Sequence, residues 1–265
     1  MYDFDYQRPT SLEAALAALQ GAEDGKLLAG GHTLLPTLKQ RLARPSTLID
    51  LSGIDALRGI TVDGRIVTVG SMTTHSEVAG SQAVADAIPA LAALAETIGD
   101  PQVRHCGTIG GSIANNDPAS DYPGAVLGLG ATVVTNAREI AADDFFLSLF
   151  DTALDDGEII VAVKFPVPEK ACYMKFPQPA SRFSLVGAFV ARTAGGVRMA
   201  ITGAGQDGVF RATDMEAALN ANFSADAIAN IQVSDRDLNG DIHASPEYRA
   251  HLIGVMARRA VAACG

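Results

Sequence analysis

The stretch KLLAGGHTLLPTLKQRLARPSTLIDLS, residues 26–52, decides the fold of the first part of the chain. A short apolar run ends in two glycines, and the residues after them place leucines on one helical face at positions 34, 35, 38 and 42. Pro45 ends the helical pattern, and the residues TLIDLS that follow are typical of a strand. This order predicts a compact unit of strand, glycine turn, helix and strand.

Patterns on both sides of this unit predict an α+β protein in which an antiparallel sheet packs against helices. Before the unit, residues 11–21 predict a capped helix, and after it residues 60–74 predict a hairpin. Small apolar residues give a helical pattern over residues 84–98. Towards the C-terminus, the strand patterns cover 183–194, 196–203 and 208–213, and the helical patterns cover 214–221, 225–232 and 246–263.

The composition excludes several classes of function. Of the 265 residues, 48% are hydrophobic and 19% are charged, so the chain can bury a core and is not typical of a disordered protein. A formal net charge of -10 gives no basic surface for DNA or RNA. Cys106, Cys172 and Cys264 form no cluster motif, and neither a leader nor a membrane span stands out. We expect a cytoplasmic protein without a nucleic-acid partner.

Two glycine turns carry the strongest functional signal. Ala29-Gly30-Gly31-His32-Thr33 stands between a predicted strand and a predicted helix, and Thr108-Ile109-Gly110-Gly111-Ser112 has the same character. Glycines let backbone N–H groups approach a diphosphate, and a helix that starts there adds partial positive charge. Either turn alone is also compatible with an ordinary chain reversal. Two such turns in one chain favour a dinucleotide that is held at two places.

Two further motifs are weaker. Residues 203–208 match G-x-G-x-x-G, but no helix pattern follows them, so we interpret them as a hairpin turn rather than a dinucleotide site. Asp117 and Asp121 are four residues apart with Pro118 between them. We expect these carboxylates to cap backbone groups or to hold a ribose hydroxyl rather than to act as an acid–base pair.

Long motifs around both glycine turns resemble one known family. Residues 27–54, LLAGGHTLLPTLKQRLARPSTLIDLSGI, and residues 100–131, DPQVRHCGTIGGSIANNDPASDYPGAVLGLGA, resemble the two flavin-binding signatures of the medium subunit of aerobic carbon monoxide dehydrogenase. That subunit belongs to the FAD-binding family of the molybdenum hydroxylases, which also includes part of xanthine dehydrogenase. The segments at 4–16, 157–166 and 245–261 are similar to the same family.

The resemblance implies a fold and a domain division. Residues 1–168 would form an α+β FAD-binding region of the PCMH type with two subdomains, at about 1–55 and 56–168. Residues 169–265 would form a C-terminal domain with a small antiparallel sheet and helices.

The resemblance also implies roles for single residues. The five residues from Ala29 to Thr33 would hold the diphosphate, and those from Thr108 to Ser112 the rest of the diphosphate and the adenosine side. Asp121 would meet the adenosine portion, Ile160 would pack on the nucleotide, and Lys175 would lie near the isoalloxazine. Ile98 occupies a position where the xanthine dehydrogenase branch has an aromatic residue. No residue of this chain is expected to be catalytic in its own right.

Cofactors and partners follow from the same resemblance. This chain would bind FAD, a large partner subunit would carry molybdenum with a pterin cofactor, and a small partner would carry two [2Fe-2S] clusters. Electrons would pass from the clusters through FAD to an external acceptor in a carbon monoxide dehydrogenase-type complex, assembled as a dimer of heterotrimers. The three isolated cysteines agree with clusters that belong to a partner.

Three alternatives stay open from the sequence. The complex could be an aldehyde or N-heterocycle hydroxylase, because substrate binds on another subunit. The chain could be a stand-alone flavin oxidase, since some distantly related oxidases tether FAD through a histidine placed like His32. It could also be a flavin-free scaffold, although both glycine motifs are intact.

Overall fold

The first region of the protein is a three-stranded parallel sheet, seen in a computed structural model that describes residues 1–264. Both outer strands pair in parallel with the central one. The capped helix is confirmed, because the Ser11 hydroxyl accepts a hydrogen bond from the Ala14 N–H at 3.2 Å. The elements are β1 (Asp5–Gln7), α1 (Leu12–Gly21), β2 (Gly25–Leu28), α2 (Leu34–Lys39) and β3 (Thr47–Asp50).

The α+β class is present as predicted, but an antiparallel sheet is wrong for this region. Helix α2 lies between β2 and β3 and returns the chain to the end of the sheet from which β2 began. Strands joined by such a crossover run parallel. The glycine turn at residues 29–33 therefore follows the carboxyl end of β2, where the chain leaves the sheet to enter α2.

The second region is a five-stranded antiparallel sheet covered by short helices, with strand order β4-β5-β10-β6-β7. Pro89 splits the predicted helical run 84–98 into two helices, because its ring cannot continue the preceding turn. The elements are β4 (Ile60–Asp63), β5 (Ile66–Gly70), α3 (His75–Gly80), α4 (Gln82–Ala87), α5 (Pro89–Glu96), α6 (Pro101–Cys106), α7 (Ile109–Asn115), α8 (Tyr122–Leu129), β6 (Thr132–Thr135), β7 (Glu139–Ala141), α9 (Ala142–Phe145), β8 (Phe146–Ser148), β9 (Asp151–Thr152) and β10 (Ile160–Pro166).

The third region is a four-stranded antiparallel sheet with one long helix packed on it. Residues 203–208 connect two antiparallel strands, so the hairpin interpretation of the G-x-G-x-x-G match is confirmed. The predicted helix 225–232 is wrong, since only a 3₁₀ turn forms at Ala225–Ile228. The elements are β11 (Lys170–Pro177), β12 (Ser184–Thr193), β13 (Gly196–Thr202), β14 (Phe210–Arg211), α10 (Thr213–Ala221) and α11 (Pro246–Ala263).

Helix α8 joins the second region to the third. All eight of its residues are buried, and it packs on β12 and β13. Gly128 makes this approach possible, because a Cβ there would lie 2.7 Å from the Phe189 ring. Phe189 itself is fully buried and belongs to the same hydrophobic cluster as the second sheet. The two regions therefore share a core. Within residues 1–264, no helix is long and apolar enough to cross a membrane.

Glu216 fixes α10 to the third sheet. Its side chain is buried and accepts a hydrogen bond from the Met199 N–H on β13 at 2.8 Å. The Arg211 guanidinium also donates to both carboxylate oxygens, at 2.9 and 2.6 Å. Because Glu216 serves a backbone group and a charged group together, removal of the carboxylate leaves the Met199 N–H without its acceptor and leaves Arg211 with Asp143, at 3.4 Å.

We expect Glu216→Ala to lower the free energy of unfolding by about 2–4 kcal/mol, because it leaves a buried N–H unpaired and removes the two shorter hydrogen bonds of the partly buried Arg211 guanidinium. Glu216→Gln keeps an acceptor for Met199 and should cost less than half as much. Glu169→Ala is the matched control, since its ion pair with Arg192 is half exposed and should contribute less than about 1 kcal/mol. Urea unfolding measures all three. Equal losses for Glu216→Ala and Glu169→Ala would contradict this role.

Candidate functional site

A cavity of about 700 Å³ lies where the first two regions meet, which is within the usual range for ligand sites. Both glycine turns line it. Ser71, Met72 and His75, between the end of β5 and the start of α3, also line it, as do residues 181–183. The structure therefore brings together two motifs that are 75 or more residues apart in the sequence.

The first turn packs directly on the chain that leads into the second. A Cβ at Gly30 would overlap the Cys106 carbonyl and lie 2.7 Å from the Cα of Gly107. Gly31 has a φ of +73°, a conformation that favours glycine. These glycines are thus required by the close approach of two backbones and by the turn itself, whatever ligand the cavity holds.

The first turn also presents free backbone donors. Among the described residues, the N–H groups from Gly30 to Leu34 donate to no protein acceptor. Thr33 occupies the N-cap position of α2 but makes no capping hydrogen bond with its hydroxyl, and both His32 and Thr33 are exposed. Consecutive N–H groups of this kind form a concavity that suits the oxygens of a diphosphate.

The second turn differs, because its donors are already used. The N–H groups of Ile109, Gly110 and Ser112 donate to backbone carbonyls at 2.9–3.1 Å. The Gly111 N–H donates to the Thr108 hydroxyl at 3.2 Å. The two turns are therefore not equivalent, in contrast to the prediction that both supply N–H groups to a diphosphate. The role of Thr108 to Ser112 in binding stays a prediction, but their glycines serve close packing, since a Cβ at Gly110 would lie 2.6 Å from that of Ser71.

The remaining predicted residues fall into two groups. Ile98, Asp121 and Ile160 line the cavity. Lys175 does not line it and lies behind Asp121 on β11. Asp121 and Lys175 had been predicted at the adenosine and isoalloxazine portions of FAD, which are its two ends. The structure brings them into contact, so these two placements are not compatible for an extended cofactor.

A buried ion pair links Asp121 and Lys175. The Lys175 ammonium lies 2.8 Å from the Asp121 carboxylate and donates to the Thr97 carbonyl at 3.1 Å, and both charged side chains are about 5% exposed. The Tyr173 hydroxyl donates to the other carboxylate oxygen. Burial raises the pKa of Asp121, whereas Lys175 and the Tyr173 hydrogen bond act in the opposite direction. The Lys175 ammonium is therefore paired with the Asp121 carboxylate inside the protein, and this pairing reduces its effect on a ligand in the cavity.

Several cavity residues were missed by the sequence analysis. Ser71 and His75 lie beside the second turn, and Arg182 and Phe183 stand at the edge. Arg182 has a φ of +61° and donates from its guanidinium to the Gly99 carbonyl at 3.1 Å. No local pattern marks these residues, because they reach the cavity only through the pairing of distant strands.

The chain is similar to known proteins over nearly its full length. Residues 2–168 match the family described as the FAD binding domain in molybdopterin dehydrogenase. The carbon monoxide dehydrogenase medium chain of Hydrogenophaga pseudoflava is 34% identical over 274 residues, covering 97% of this chain and 96% of that one. The nicotine 6-hydroxylase medium subunit of Paenarthrobacter nicotinovorans is 36% identical, covering 98% and 96%.

The fold is similar to a solved structure over the same extent. A chain of reconstituted CO dehydrogenase from Oligotropha carboxidovorans superposes with a TM-score of 0.91 at 32% identity, covering 99% of this chain and 98% of that chain. The similarity therefore includes the third region as well as the residues that line the cavity.

We expect Gly30→Ala to weaken flavin binding at least tenfold and to lower the free energy of unfolding by about 1–3 kcal/mol, because the added methyl pushes the two turns apart. Gly21→Ala is the control. Gly21 ends α1, and a Cβ there would meet no atom within 4 Å. This substitution should leave the free energy of unfolding unchanged or raise it slightly. Flavin titration and urea unfolding measure the two effects. Unchanged flavin affinity in Gly30→Ala would show that the contact between the turns does not shape the site.

Proposed function

The chain belongs to the family of FAD-binding subunits of the molybdenum hydroxylases, which are oxidoreductases, and from this premise we propose that it passes electrons through FAD from a partner's [2Fe-2S] clusters to an external acceptor. The observation that carries the proposal is the cavity, where an array of free N–H groups faces an apolar-walled space of about 700 Å³. The match of residues 2–168 to the family confirms the resemblance predicted from the two glycine motifs. We assign the molybdenum–pterin cofactor and the clusters to a large and a small partner subunit.

The residues of the cavity fit FAD in their chemistry. The N–H groups from Gly30 to Leu34 would bind the diphosphate, and no cationic side chain is needed for this. Ile98 and Ile160 would provide apolar walls for the rings. Asp121 would accept from a hydroxyl or a ring N–H of the cofactor, and Lys175 would hold that carboxylate in place. When bound, FAD supplies the redox chemistry, and these residues bind and orient it.

An exposed apolar patch beside the cavity supports a docking role for this edge. We define it as Leu149, Phe150 and Phe183, whose exposed fractions are 51%, 58% and 51%. Phe183 lines both the FAD cavity and the neighbouring cavity that Leu149 and Phe150 line. A partner that buried this patch would bring its clusters to the edge of the flavin site, as electron transfer requires.

Asn116 holds the tip of this patch in a fixed shape. Its side-chain amide donates to the Ser148 and Asp151 carbonyls, each at 2.8 Å, and its backbone carbonyl accepts from the Phe150 N–H. Both Asn116 and Phe150 have positive φ values, 42° and 57°. Such conformations cost free energy and persist where surrounding contacts fix them. The exposed phenyl ring is therefore presented on a supported turn.

The domain division and assembly belong to the same proposal. Residues 1–168 would be the FAD-binding unit, with subdomains at about 1–55 and 56–168, and residues 169–265 the C-terminal unit. The expected assembly is a dimer of heterotrimers. For the complex itself, a carbon monoxide dehydrogenase type is the first candidate. An N-heterocycle hydroxylase is the second, because the nicotine 6-hydroxylase subunit is as similar as the carbon monoxide dehydrogenase subunit, at 36% against 34% identity.

We expect the native complex to show a flavin spectrum that bleaches when its substrate is added without oxygen. Carbon monoxide and nicotine are the two substrates to compare, and the one that bleaches the flavin identifies the type of complex. A protein that shows no flavin bands even after FAD is added would refute the proposal in favour of a scaffold. Flavin that stays in an acid-precipitated pellet would instead support a covalent tether at His32.

We expect Phe150→Asn to weaken assembly with the iron–sulfur partner about tenfold and to slow substrate-driven flavin bleaching, because an aromatic anchor is lost. Asparagine tolerates the positive φ at this position, so the backbone is kept. Leu42→Asn removes a 73% exposed apolar side chain that lines neither cavity and should change nothing. Sedimentation and stopped-flow absorbance give the two readouts. The same assembly in both variants would rule out the patch as the docking site.

A further inference from the structure

His75 is a buried histidine at the cavity wall, and no pattern in the sequence assigns it a role. It is the first residue of α3, it is 5% exposed, and it lines the cavity. Its Nδ1 atom is buried without a hydrogen-bond partner among residues 1–264. An unpaired buried nitrogen costs free energy, so this ring is a candidate for a contact that the bare chain does not complete.

The second nitrogen of the ring, Nε2, lies beside Gly107 at the cavity wall. A Cβ at Gly107 would lie 2.6 Å from Nε2 of His75, and Gly107 also lines the cavity. Since Nδ1 is shielded and the ring contributes to the cavity wall, Nε2 is the polar edge that a ligand can reach. The glycine at 107 leaves this edge uncovered.

Tyr122 packs beside the His75 ring but makes no hydrogen bond to it. Its ring centroid lies 5.3 Å from that of His75, and its hydroxyl is also buried without a partner. Burial raises the pKa of Tyr122, so the hydroxyl keeps its proton. Burial, with smaller contributions from His32 and Arg104, lowers the pKa of His75 to about 4, so the imidazole is neutral at pH 7 and carries one proton. The His75 ring therefore has one N–H that can donate and one nitrogen that can accept.

We propose that His75 carries its ring proton on Nε2 and donates it in a hydrogen bond to an oxygen of bound FAD. This rests on the proposed FAD-binding function. The position explains the need for such a donor, because the neighbouring second turn has spent its own N–H groups on protein acceptors. Residues 71–75 then form a third cofactor-binding segment beside the two glycine turns.

The test measures FAD affinity in the assembled complex after its flavin has been removed. His75→Leu removes the donor and should raise the Kd about tenfold or more, whereas His75→Gln places an amide N–H near the position of Nε2 and should stay within about threefold of the original protein. Thermal melting of the FAD-free variants serves as the folding control.

Each outcome decides the inference. An unchanged Kd in His75→Leu would overturn it, and so would equal losses in the Leu and Gln variants, which would indicate a purely steric role. If the original complex itself failed to bind FAD, the proposed function would fail instead. Competition with ADP and with FMN identifies the oxygen involved: the fragment whose affinity falls in His75→Leu carries the acceptor, and no change for both would contradict a direct contact.

Discussion

The contact between Gly30 and the Cys106–Gly107 backbone is the constraint on which the site depends. It brings the turn that ends the parallel sheet against the chain that leads into α7, with no room for a side chain between them. Because of this contact, the free N–H groups of the first turn face the same cavity as the packed second turn. A cofactor site between two regions of a chain needs such a fixed separation, since a shift of a few tenths of an ångström would change every hydrogen bond to the ligand.

The third region contributes through its own contact with the cavity. Strand β11 carries Lys175 and Tyr173 to Asp121, which stands at the start of the buried helix α8. The same helix packs on β12 and β13, which belong to the same sheet as β11, so the third region sets the position of the carboxylate. A buried ion pair of this kind is weak evidence for stability, because desolvation offsets much of the attraction. Its effect here is to hold a carboxylate in one place at the cavity wall.

Much of the fold could be predicted because its signals are local. The Ser11 cap, the glycine turns and the apolar strand patterns of β12 and β13 depend only on neighbouring residues. The wrong helix prediction also came from a local signal: residues 225–232 have helical spacing, yet only a 3₁₀ turn forms there. The parallel sheet and the role of His75 could not be predicted, since both depend on which distant strands pair. The resemblance identified the family, but neither it nor the sequence pattern indicated that the donors of the second turn are already satisfied.

The distribution of donors explains how an acidic chain can hold an acidic ligand. With a net charge of -10, the protein as a whole repels a diphosphate, and the ammonium of Lys175 is already balanced by Asp121. Neutral N–H groups are not subject to this long-range repulsion, which salt screens within about 10 Å, and they act only at hydrogen-bond distance. The binding free energy therefore depends on how accurately a few backbone groups are placed. This dependence is the physical reason why the glycines at the contact between the turns matter more for the site than any single charge.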